Sequence, residues 1–233
     1  IFTKTGSRAP SAAVSLELGP RAFKKLSGSV SASLGDTSFS ATLSRIKTDG
    51  FSALNPAQQP GANPDADGYA NTSVNLSATH KLSKDHNFGL KLFKSTGEVA
   101  YDNAFGAPTD VQNSTTRLNQ VTVFTDNTFG NWRSRLSLSE QSDRSRFFDD
   151  GAFGSTATFV TRASVLNWVN TLALGNDWIV TGGLEQQRQR VETTTTSAFD
   201  AAYDQKRNAT AVFAGVEGKV GPGALQLNVR HDK

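Results

Sequence analysis

From residue 11 onward, apolar and polar positions alternate with a period of two, the pattern of a sheet with one apolar face. Val14, Leu16 and Leu18 stand against Ser15 and Glu17. Leu26, Val30, Ala32 and Leu34 stand against Ser27, Ser29, Ser31 and Ser33. Phe39, Ala41 and Leu43 mark a third strand. In a fourth, Thr72, Val74, Leu76, Ala78 and Leu82 oppose Asn71, Ser73, Asn75, Ser77, Thr79 and Lys81. The same alternation predicts strands near 87–101, 115–129, 131–147, 158–175, 177–192, 206–220 and 223–232, about eleven in all. No 3.6-residue period competes with it.

Two further regularities give the strands an arrangement. Short turns fall at 35–37, 83–87, 129–131, 175–177 and 221–223, and longer polar loops at 50–68, 102–114, 148–157 and 193–205. If successive strands are antiparallel neighbours, these short turns share one end of the sheet and the long loops the other. Outer-membrane barrels have that asymmetry. Phe39, Phe88, Trp132 and Trp178 each follow a short turn and Phe129 precedes one, as in an aromatic girdle at a membrane interface. The expected fold is all-β: an antiparallel up-and-down transmembrane β-barrel. Its polar face, with Arg133, Arg135, Gln226 and Asn228, would line a lumen; in a soluble sandwich the same face would meet solvent.

Composition narrows the function. There is no cysteine, so disulfides and thiolate metal sites are excluded. The net charge of +3 comes from scattered Lys and Arg, which gives no nucleic-acid footprint. His80, His86 and His231 have no ligand spacing, and no nucleophile, base and orienting group can be assembled, so an enzyme is not expected. The absence of methionine and the strand pattern reaching Asp232 lead to the expectation that the chain is a fragment with Ile1 internal. Asp143, Arg144, Arg146, Asp149 and Asp150 read as a solvated loop base, and 185–190 as a strand end protruding above lipid.

One stretch carries chemistry. Asn63, Asp65 and Asp67 lie two apart, so in an extended segment their side chains leave on one side and can share a cation. Calcium wants six to eight oxygens, which makes Asp49, Asp102 and Asp110 candidates to complete the shell. An EF-hand is excluded, because its twelfth position is Val74 and no helical pattern flanks it. The alternative is that Asp, Asn, Pro and Gly here only make turns.

The run Lys47-Thr48-Asp49-Gly50-Phe51, the acidic loop ending at Gly68, then Tyr101-Asp102 and Asp110 resemble the TonB-dependent outer-membrane receptors, in particular their cobalamin-transporting members. The resemblance covers nearly the whole chain. It implies that residues 1–10 are the end of a plug domain and its junction with the barrel. Residues 11–233 would then be the N-terminal half of a 22-stranded type of barrel. It implies calcium ligands at Asp49, Asn63, Asp65, Asp67, Tyr101, Asp102 and Asp110, and cobalamin contacts at Asn103 and Thr158. It also implies outer-membrane lipid around the barrel, and a TonB complex engaged through the plug region. A siderophore or haem receptor, a passive porin-like barrel and a soluble calcium-binding β-protein are the competing readings.

Overall fold

The computed structural model describes residues 9–52, 54–55, 57–152, 154–175, 177–197 and 201–233. They form eleven strands: β1 (Ser11–Gly19), β2 (Phe23–Leu34), β3 (Thr37–Thr48), β4 (Tyr69–Lys81), β5 (His86–Tyr101), β6 (Gln112–Phe129), β7 (Trp132–Asp149), β8 (Thr156–Leu174), β9 (Trp178–Thr195), β10 (Tyr203–Val220) and β11 (Gly223–Asp232). All lie in one sheet in chain order, each antiparallel to its chain neighbours. β1 and β11 are its edges. Of the expected plug junction, residues 1–8 lie outside the described residues.

The register sorts every side chain, because residues directly paired across antiparallel strands point to the same face. Leu16 pairs with Leu26, Leu76 with Leu92, Leu138 with Leu166, Trp168 with Leu184 and Val216 with Leu227. Apolar residues from all eleven strands therefore make one continuous band on one face, the outer one, while Phe93, Leu118, Val165, Val169 and Phe213 stand on the inner face. Phe39, Phe88, Phe129, Trp132 and Trp178 all lie on that face at the short-turn end. Phe129 sits 5.1 Å from both His86 and Trp132, ring centre to ring centre.

Contacts between strands join chain neighbours alone, so no second sheet covers either face of the described strands. Within a two-sheet sandwich Leu26 and Leu43 would be enclosed; here they are 55% and 54% exposed. Buried apolar side chains among the described residues are few: Ala62, Phe124, Ala163 and Ala211. A bare apolar band of this extent is unfavourable in water and favourable against hydrocarbon. Lipid is the layer that completes the fold.

The inner face is polar and knitted across the strands. Ser27 meets Ser44 at 3.4 Å and Thr122 meets Ser139 at 2.9 Å, while Asn71 Nδ2 donates to Ser95 Oγ at 3.0 Å. Aromatic side chains also stand on it, Phe93, Phe124 and Phe213 among them. The Phe124 ring lies over Gly89 on the neighbouring strand, where an added Cβ would collide with it.

Two details differ from the alternation. At the long-loop end the strands run further than their apolar residues do: β3 continues to Thr48, β7 to Asp149 and β9 to Thr195. Above the bilayer, backbone pairing persists although side chains need no longer alternate. A three-residue turn, Pro20–Ala22, also sits at that end, with Arg21 and Ala22 in the left-handed region at φ 57° and 53°.

Candidate functional site

The β1–β2 turn and the start of the β3–β4 loop hold each other. The Asp49 amide donates to the Arg21 carbonyl at 2.9 Å and Thr48 Oγ1 donates to the same oxygen at 3.0 Å. The Arg21 guanidinium lies 4.4 Å from the centre of the Phe51 ring. Gly50 then turns the chain at φ 68°, so close to the end of the same loop that a Cβ would collide with the Asp67 carbonyl. Glycine is required there twice over, for its backbone angle and for its missing side chain.

This clamp brings the acidic run over the β5–β6 connection. Carboxylate oxygens of Asp65, Asp67 and Asp102 all lie within 4.8 Å of one another, although 35 residues separate Asp67 from Asp102 in the chain. Asp102 Oδ2 accepts from Ser52 Oγ at 2.7 Å, whereas Asp102 Oδ1 is buried with no hydrogen-bond donor. An orphaned buried carboxylate oxygen beside two more carboxylates is unfavourable unless a cation joins them. The donor set is all oxygen, which suits a hard divalent ion.

The other expected ligands are placed differently. Asn63 Oδ1 accepts from the Asp65 amide at 3.2 Å and Asn63 Nδ2 donates to the Asp110 carbonyl at 3.0 Å, so Asn63 ties the two loops together through hydrogen bonds. Asp110 Oδ2 accepts from the Ala107 amide at 2.8 Å and closes its own loop. Neither Asp49 nor Asp110 has a carboxylate in the cluster of three. Tyr101 ends β5 on the inner face; burial, and after it the charge of Asp149, raises its hydroxyl above the usual tyrosine range.

Asp149 was read from sequence as part of a solvated loop base, and the structure makes it a joint. Its carboxylate accepts from Asn103 Nδ2 at 3.3 Å, Gln112 Nε2 at 3.2 Å and the Gly151 amide at 2.9 Å. The neighbouring Asp150 accepts from the Val111 amide at 2.6 Å. The period-two rule held the signal: Asp143 and Asp149 point inward while Arg144 and Arg146 point outward, so those residues never formed one cluster. Asn103 thus belongs to this inner network. Thr158 pairs with Arg146 and Thr194 on the outer face, away from it.

No family model matches the chain. In sequence it is 27% identical over 214 residues to the vitamin B12 transporter BtuB of Photobacterium profundum, a match that covers 92% of this chain and 34% of the transporter. In structure it is similar to the Pseudomonas aeruginosa receptor FpvA bound to heterologous pyoverdines, with a TM-score of 0.81, 10% identity, and 98% of this chain against 37% of that one. It is also similar to the ferric enterobactin receptor PfeA of P. aeruginosa, with a TM-score of 0.79, 14% identity, and 99% against 40%. The alcaligin outer-membrane receptor FauA of Bordetella pertussis follows at 0.71, with 13% identity and 91% against 36%. The chain thus spans about a third of the length of the curated relative. Sequence and fold both resemble the barrel wall of TonB-dependent outer-membrane receptors of Gram-negative bacteria; these relatives are receptors and transporters, not enzymes.

Proposed function

We propose that this chain is part of the wall of a TonB-dependent receptor that captures cobalamin at the cell surface, with a calcium ion ordering the two loops that close over it. The observation that carries this reading is the meeting of Asp65 and Asp67 on one loop with Asp102 on the next. Three anionic side chains held that close repel one another, and a divalent cation turns the repulsion into a crosslink. Asp65, Asp67 and Asp102 would hold the ion. Asp49, Asn63, Tyr101 and Asp110 lie on the same connected loops and supply further oxygens if the loops tighten around it. The ion contributes order: a loop already fixed loses less conformational entropy when a bulky cargo arrives. Cobalamin is favoured over a siderophore because the sequence likeness is to a vitamin B12 transporter, while the siderophore receptors share the fold at 10–14% identity. Of the two expected cargo contacts, Asn103 remains proposed, because it has the inward position such a role needs; Thr158, on the outer face, does not. Energy coupling to TonB would act through the plug.

Calorimetric titration of the full-length receptor in detergent tests each part. Calcium binding is expected in the wild type and lost in Asp65→Ala/Asp67→Ala, and cobalamin should bind more tightly with calcium than with a chelator. Cobalamin binding indifferent to calcium would remove the ordering role. Binding of a ferric siderophore in place of cobalamin would change the cargo and leave the metal centre standing.

A further inference from the structure

The middle of the inner face carries a patch of free carboxamides. In register across β6 to β10 run Gln120, Gln141, Ala163, Gln189 and Arg207, one residue from each strand and each directly opposite the next. On the same face, Gln205 stands one row nearer the long loops and Gln187 one row nearer the short turns. Among the described residues no side-chain hydrogen bond holds Gln141, Gln187, Gln189 or Gln205, and Gln120 donates only a long one, from Nε2 to Thr122 Oγ1 at 3.4 Å. Arg207 forms no ion pair with them either. Charge is sparse around the patch: the row below, from Thr122 to Ala209, has none, and the row above has a single acid, Asp143.

Elsewhere this face ties its polar groups to one another, Ser27 to Ser44, Asn71 to Ser95 and Arg135 to Asp126. Unpaired amides are groups left for something that comes and goes. A carboxamide offers both donors and an acceptor, so it matches another carboxamide reciprocally, whereas a polyanion calls for cations. Neighbouring strands lie about 4.8 Å apart, so the row spans about 19 Å from β6 to β10. Gln141 is eight residues from Asp149 on β7, about 26 Å along the strand, which sets the row well inside the barrel from its mouth. Cobalamin is edged with carboxamides and carries one phosphodiester, and the row offers amides and one cation.

We propose that this row is a second station for the cargo, inside the barrel: carboxamides of cobalamin exchange hydrogen bonds with Gln120, Gln141 and Gln189 as it passes, and its phosphodiester pairs with Arg207. The proposal rests on the cobalamin reading above and is independent of calcium. A passage site has to release what it holds. Neutral hydrogen bonds, each worth little net, give a series of contacts that guide a cargo without trapping it.

Uptake of radiolabelled cobalamin by energised cells making the full-length receptor, set beside equilibrium binding to the same cells without energy, tests this. Gln141→Leu/Gln189→Leu is expected to slow uptake by about tenfold, about threefold for each lost hydrogen bond, with surface binding unchanged. Arg207→Gln should slow cobalamin by about threefold and leave cobinamide, which lacks the phosphodiester, at the wild-type rate. Asn119→Ala, beside Gln120 but on the outer face, should change neither. Heat-modifiable gel mobility reports folding; if the double variant does not fold, Arg207→Gln with its two cargoes carries the test alone. Wild-type uptake in the folded variants overturns the proposal. Equal slowing of cobalamin and cobinamide by Arg207→Gln also overturns it and makes the row a contact for the plug. Absence of cobalamin binding to the wild type overturns the cargo reading itself, and the station with it.

Discussion

The two faces of this sheet distribute charge differently. On the inner face, charge is spread along the strands and some cations pair with neighbouring acids: Lys25 with Glu17 at 2.7 Å, Arg135 with Asp126 at 2.8 Å, Arg230 with Glu185 at 3.0 Å. On the outer face, charge is absent across the band and then returns as a surplus of arginine above it. A wet lumen screens and pairs its charges locally. A bilayer accepts none in its core but offers a layer of anions at its rim, so the outer face can leave cations for the lipid to neutralise. One alternating strand serves both environments because successive residues never share a face.

The largest break of this contrast comes from placing charge in the band. Leu136→Arg should destabilise the receptor in vesicles by about 2–4 kcal/mol. Ser137→Arg, the next residue but inward, should cost less than about 1 kcal/mol; denaturant unfolding followed by tryptophan fluorescence measures both. Glycines sharpen the same comparison. Gly89→Ala meets the Phe124 ring on the inner face and should lose about 1–3 kcal/mol, whereas Gly28→Ala, with open space on the outer face, should be neutral or gain up to about 1 kcal/mol. At the loops, Gly50→Ala drives Asp67 away from its clamp and should weaken calcium binding by roughly tenfold, measured by titration. The smallest effect concerns Tyr101. Asp149→Asn removes a neighbouring negative charge, so the hydroxyl should ionise at lower pH, yet still above an ordinary tyrosine because burial, the larger cause, remains. Absorbance titration of wild type against variant reads the difference.

Much of the wall was legible beforehand. All eleven strands were found, and β11 agrees to within one residue at 223–232. Strand ends at the short turns were close, because apolar residues run down to the girdle there. Most ends at the long loops fell short by two to five residues: β10 begins at Tyr203 where alternation suggested 206, and β3 continues to Thr48 where the clear pattern stopped at Leu43, whereas β5 ends at Tyr101 as expected. Those extensions carry polar and charged residues on both faces, and such a stretch has no apolar period to read. The acidic run was also visible, as was its pairing with Asp102, through the residue types a hard cation needs. Asp149 was not, since a lone acid at a strand end resembles any loop base until its register against Gln112 is known.

The period of two is a local property of an extended backbone, and so the sequence by itself determined which residues share a face and where the aromatic residues gather; that no second sheet covers the apolar face, which leaves it to lipid, was decided by the tertiary structure. Which distant residues meet is not local. Only the tertiary structure decided that Asp67 reaches Asp102 while Asp110 closes its own loop, and that Arg162, Arg190 and Lys206 stand level across three strands. Those outcomes follow from the stagger of each antiparallel pair and from the way Gly50 lets one loop fold onto its own end. No short window of the chain contains either quantity.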